Sequence, residues 1–172
     1  MNEVLWVDVR SEGRLFASLS GLSPRVAAAA EEGLKKGGMQ IIADAQRNMR
    51  TAGHNGATLN ATGRLSQSGR VQKAKDGSLD VGFFSGDSET GYAAHVEYGT
   101  RAHWPPRWAL RAWVRKKLRV AEKDADAAAA RVAWGISRHG TAPHPFFQPA
   151  VNKNHQALVK AVQDAVAQMT DK

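Results

Sequence analysis

Two punctuated runs constrain this chain more than any other feature. The first, Tyr92-Ala93-Ala94-His95-Val96-Glu97-Tyr98-Gly99-Thr100, sets large aromatics, alanines and one acid ahead of a glycine, the residue that takes up backbone angles closed to the others. The second, Pro143-His144-Pro145-Phe146-Phe147-Gln148-Pro149-Ala150, follows a helical segment and concentrates aromatics with backbone-restricting prolines. Aromatic residues make up only 7% of the chain, and each has a large area to bury. Two such clusters held apart would forfeit most of that burial. The runs are therefore expected to meet, with the segment between them as an excursion.

Periodicity supplies the elements around them. Residues 3–10 alternate Leu5, Val7 and Val9 with Trp6 and Asp8, a strand pattern. Residues 14–22 carry Leu15, Phe16, Leu19 and Leu22 at helix-like spacing, ahead of Ser23-Pro24, a cap residue and a first-turn proline. A long helix is predicted from there to about residue 50, because Val26, Ala30, Leu34, Gly37, Ile41, Ala45 and Met49 recur every three to four positions. Gly33, Gly37 and Gly38 each weaken such a helix by about 1 kcal/mol relative to alanine, so another element is expected to approach closely there.

Residues 51–62 are polar and glycine-rich and read as a loop that orders on contact with a neighbour. Gly63-Arg64-Leu65 leads into a strand through Val71 and Ala74, and Asp76-Gly77 turns it toward Leu79, Val81 and Phe83, a β-hairpin. Residues 85–91 form a loop, and 92–100 are too few to decide between helix and strand. Pro105-Pro106 opens a helix to about residue 119 with Leu110, Trp113, Val114 and Leu118 on one face. A second helix, about 121–138, turns Ala125, Ala128, Val132 and Ile136 inward and ends at Gly140. A last helix carries Pro149 in its first turn and Val151, Leu158, Val162, Val166 and Met169 on its buried side. The fold class is α+β: an antiparallel sheet packed by one long N-terminal helix and a C-terminal helix, with a helical-hairpin insertion. The 172 residues suit a single domain, with a core of about 1–102 and 139–172 and the hairpin at about 103–138.

The net charge of +8 is concentrated. Between residues 101 and 123 stand eight basic side chains and one acid, Glu122, a local +7, which implies a polyanionic or acidic neighbour. Arg107, Arg111, Arg115, Arg119 and Lys123 recur every four residues, so a cationic helix face is expected beside the apolar one. It is either solvated or set against DNA phosphates or an acidic protein rim. The chain has no cysteine, hence neither disulfide nor thiolate metal site. No stretch approaches the roughly 18 uninterrupted apolar residues of a membrane span, and the N-terminus lacks a basic region followed by an apolar one, so neither a span nor a secretory signal is expected.

Catalytic patterns are missing from the sequence. The six histidines, His54, His95, His103, His139, His144 and His155, do not pair at ligand spacing beside an acid on one helical face. His95 and Glu97 would share a face only in a strand. Neither a glycine-serine elbow nor a phosphate-cradling glycine loop is present. The reading is a protein without enzymatic activity, metal or cofactor. Glu97 is the one acid inside the first run and is expected to meet an arginine, either Arg64 of its own chain or one on a neighbouring subunit. Phe146 and Phe147 are read as either an interface anchor or a pair buried under the long helix.

Four features in order, Thr62-Gly63-Arg64-Leu65 with Ser68, the strand ending Val81-Gly82, Tyr92-Ala93 with Val96-Glu97-Tyr98-Gly99-Thr100, and Pro145-Phe146-Phe147 with Pro149-Ala150, resemble the tail-completion and neck proteins of tailed bacteriophages. The likeness is closest to gene-ten-like minor tail components. The hairpin containing Trp113 and Trp134-Gly135-Ile136 looks like an insertion carried by some members, and Ser66, Gly69 and Arg70 stand where larger apolar residues are usual. The resemblance implies a structural virion protein of the head-tail junction that assembles as a ring, a hexamer, between a head connector or stopper and a tail-tube or terminator protein, with DNA in the channel. Glu97, Tyr98, Phe146 and Phe147 would then serve assembly, and Arg107, Arg111, Arg115, Arg119 and Lys123 would meet DNA or an acidic partner. The other reading is a nucleic-acid-binding module working through the basic hairpin.

Overall fold

The computed structural model describes residues 7–10, 14–17, 23–51, 63–73, 78–84 and 92–170. Strand β1 (Val7–Arg10) pairs antiparallel with β2 (Arg14–Ala17), Val7 opposite Ala17 and Arg10 opposite Arg14. Helix was expected over 14–22, and for Arg14–Ala17 that expectation is corrected; residues 18–22 lie outside the described ones. The reason is non-local. On its other side β2 is held by β4 (Leu79–Phe83), with Leu15 opposite Val81, and a ladder on both sides satisfies backbone groups whose partners no local spacing reveals. Strand β3 (Gly69–Lys73) completes an antiparallel sheet of order β1-β2-β4-β3, Val71 opposite Val81.

The predicted hairpin is therefore β3 and β4; its turn at Asp76-Gly77, the loops at 52–62 and 85–91 and the burial of Met169 fall outside the described residues. Ahead of β3 the chain forms a short helix, α2 (Arg64–Gln67), where direct entry into a strand was expected. Gly63 enters it at φ 78°, and the hydroxyls of Ser66 and Ser68 donate to the carbonyls of Gly63 and Leu65. Such local bonds offer the backbone an alternative to the ladder.

Helix α1 (Pro24–Thr51) touches β3 and β4 on one side and the last helix, α6 (Phe147–Thr170), along another. Its glycines mark both contacts. A Cβ on Gly33 would come within 2.7 Å of the Ala161 carbonyl oxygen of α6, and one on Gly38 within 2.8 Å of Val81 and 3.0 Å of Val71 on the sheet. The helix propensity lost at these positions lets both neighbours sit close. Leu34, Ile41, Ala45 and Met49 of α1 join Leu79, Val81 and Phe83 of β4 and Val151, Leu158 and Val162 of α6 in one core. Full burial of each large side chain contributes about 1.5–3 kcal/mol.

Residues 92–98 settle as helix α3 (Tyr92–Tyr98). Beyond it an arm leaves the core: α4 (Arg107–Lys117), a 3-10 turn (Glu122–Asp124) and α5 (Ala125–His139). The second of these helices begins at Ala125 rather than near 121. The arm has its own small seam, where Val114, Ala125 and Ala129 are buried and Leu110, Trp113, Ala128 and Val132 pack around them. Leu118, expected inward, is 50% exposed, because α4 ends at Lys117 and Arg119 turns away at φ 53°.

Candidate assembly site

The two punctuated runs meet, and Glu97 is what joins them. Phe146, Phe147 and Gln148 donate their backbone N–H groups to its carboxylate at 2.8, 2.9 and 2.9 Å. A helix start leaves four backbone N–H positions without an intrahelical acceptor. Here three go to Glu97 and the fourth falls on Pro149, which has no N–H. The negative charge also sits at the positive end of the helix dipole. Around this point the His144 N–H donates to the Val96 carbonyl at 2.8 Å, the Asn48 side-chain amide donates to the Phe146 carbonyl at 2.9 Å, and the Phe83 ring meets Phe146 and Phe147 edge-on at 5.3 and 6.0 Å. Helices α1, α3 and α6 and strand β4 are thereby tied at one place.

The expected arginine partner for Glu97 is corrected for the subunit. Its partners are amides, it is 2% exposed, and Arg64 points to solvent. Phe146 and Phe147 are each 1% exposed and lie in the core, whereas Tyr98 stands at the surface at 48%. Of the four residues named for assembly, Tyr98 is the one that the folded subunit leaves accessible, together with Tyr92 on the same helix.

A second buried polar tie was not foreseen. Asp44 of α1 is 3% exposed and accepts a hydrogen bond from the Asn154 side chain of α6 at 2.7 Å; Lys153 lies 3.3 Å away and Arg47 pairs with the other oxygen. The Asn154 bond, helped by the two cations, holds the Asp44 carboxyl below its ordinary value against the opposing effect of burial. The signal was available in the sequence: Asp44 interrupts the stripe of Ile41 and Ala45, and Asn154 the stripe of Val151 and Leu158. A polar residue inside each of two apolar stripes points to a buried pair.

The arm joins the body at a narrow neck. Thr100 and Thr141 exchange backbone hydrogen bonds at 3.1 Å in both directions. Gly99 and Gly140 flank them at φ 71° and 68°, and a Cβ on either would overlap a carbonyl oxygen of the opposite strand. Both positive φ and close approach require glycine here.

On the arm, the cations named from their four-residue spacing do not form one stripe. Arg107, Arg111 and Arg115 lie on α4, but Arg119 is past its end and Lys123 is in the 3-10 turn. Arg111 pairs with Glu122 at 2.6 Å and lies 3.7 Å from Asp126, and Arg115 pairs with Glu122 at 2.7 Å. The acids that follow α4 thus partly neutralise its middle. Arg107, Arg119 and Lys123 make no ion pair among the described residues. Among those residues no group of three side chains is placed to hold a metal, and no helix is long and apolar enough to cross a membrane.

Residues 14–99, half of the chain, match the HK97-gp10_like family model, described as "Bacteriophage HK97-gp10, putative tail-component". The matched segment runs from β2 through α1, the β3-β4 hairpin and α3, and stops at Gly99, where the arm departs. No curated protein and no solved structure matches the chain. With half its length fitting that model, the chain belongs to the HK97-gp10-like family of bacteriophage tail components.

Proposed function

We propose that the protein is a structural component of the head-tail junction, a neck or tail-completion subunit that closes into a homo-oligomeric ring, a hexamer, joining the head connector or stopper to the tail tube or terminator. It works by assembly inside the virion and carries out no reaction. The observation that carries this reading is the family match over strands β2, β3 and β4, the long helix and α3. The form of the sheet supports it: its two edge strands, β1 and β3, are different surfaces at opposite ends, and each has one strand partner among the described residues. A subunit with unlike complementary surfaces makes head-to-tail contacts, which close into a ring when the rotation allows. Strand edges and the exposed tyrosines of α3 are the kind of surface such contacts cover.

Deleting the gene tests the proposal. The expected lysate contains filled heads and free tails with no joined, infectious particles, seen by electron microscopy and plaque count, and the purified protein added back restores infectivity. Normal particles from the deletion would overturn it. A second reading, a nucleic-acid-binding module, draws on the basic arm. It requires the isolated protein to bind duplex DNA with an affinity that falls steeply as salt rises.

A further inference from the structure

We infer that the arm is a docking device for a folded protein whose surface is net acidic and carries apolar pockets, and that Trp104, Trp108 and Trp134 are its anchors. The inference rests on the head-tail reading only for the partner's location in the virion. The arm segment, residues 101–139, contains ten basic and three acidic side chains, leaving about one unit of positive charge for the remainder of a chain of +8. On this arm the three tryptophans are 68%, 80% and 55% exposed. Large indoles left in water on a segment with so small a core are the kind of apolar surface that marks an interaction site.

Their placement describes the partner. At about 100° per residue, Trp108 lies roughly 120–160° around α4 from Leu110, Trp113 and Val114, and Trp134 lies roughly 120–180° around α5 from Ala125, Ala128, Ala129 and Val132. Each therefore projects from the side of its helix away from the seam. The Arg138 guanidinium lies 4.6 Å over the Trp134 ring, and Arg107 borders an open cleft of about 530 Å³ with Trp108, Arg111 and Asp126. A surface that receives both sides of the hairpin must be concave, and its charge must be opposite to that of the arm.

A second copy of this arm would place like charges together, which is unfavourable. Duplex DNA meets the charge requirement, but it gives an indole an apolar site only where base pairs are unstacked, at about a few kcal/mol per step. The two middle arginines of α4 are moreover already engaged by Glu122 and Asp126. Tryptophan and arginine side by side are the typical anchors of protein interfaces. An acidic protein cleft satisfies all of these observations.

The test uses purified filled heads and purified tails from a lysate made without this protein. Wild-type chain, the triple variant W104A/W108A/W134A and the charge variant R107E/R119E are each added, and bound protein is measured by co-sedimentation. Wild type binds one of the two particles, and both variants lose about tenfold or more in affinity. They keep the wild-type circular dichroism spectrum, and phenylalanine at the three tryptophan positions restores part of the binding. Binding of the triple variant within about twofold of wild type overturns the inference and leaves the head-tail role standing. If the wild type binds neither particle, both readings fall. Tryptophan-dependent binding to a short duplex or an oligothymidine, in place of particle binding, overturns it in favour of nucleic acid.

Discussion

Glu97 looks from its neighbours like a surface acid seeking an arginine. Its oxygens instead serve amides 49, 50 and 51 positions further along the chain. Replacing it with glutamine keeps the shape but turns an amide nitrogen, itself a donor, toward one or two of those N–H groups. The loss of charge-assisted bonds at a buried site should cost about 3 kcal/mol. For a chain of this size that lowers the melting temperature by roughly 6–12 °C, measurable by circular dichroism. An unchanged melting curve would show that the helix start finds another acceptor. That Glu97 matters was legible, because an acid within an aromatic run must have a partner. Which partner was not, because a backbone amide leaves no mark on the sequence.

The contact between α1 and α6 should weaken in acid. The Asp44 carboxyl titrates below its ordinary value of 3.8 because Asn154 donates to its charged form, with Lys153 and Arg47 adding to the effect. A group whose folded value is depressed adds stability above its unfolded value, and that stability is lost as pH falls toward the folded one. Asp44→Asn should therefore destabilise the protein by about 2 kcal/mol at neutral pH, and the gap between variant and wild type should close as pH drops below about 4. Urea titrations at neutral pH and near pH 3 check this; a gap that stays constant would mean the charge plays no part. The same two helices were the most legible elements in the sequence, because long amphipathic stripes carry their own evidence and Gly33 and Gly38 announced close neighbours. Arg14–Ala17 was misread for the opposite reason: its conformation is decided by Leu79, Asp80 and Val81, which lie far along the chain. The α3 segment has too few turns to show a period. The arm's arginines were legible as charge but not as geometry, since α4 ends at Lys117 and Glu122 folds back onto them.

Body and arm should separate cleanly. Replacing residues 101–140 with a short turn between Thr100 and Thr141 should leave a body that folds and still forms the proposed ring, because among the described residues the core around α1, β4 and α6 includes none from the arm. Joining of heads to tails should be lost. A shortened chain that fails to fold, judged by its thermal transition, would show that the body depends on the arm. The entropy of closing a loop grows only with the logarithm of its length, about 0.6 kcal/mol per doubling, so a site whose two ends already touch accepts inserts of very different size at nearly the same cost. The neck is in effect a socket. A phage lineage could exchange what is plugged into it, and with it the partner proposed for the arm, while the rest of the subunit keeps its shape.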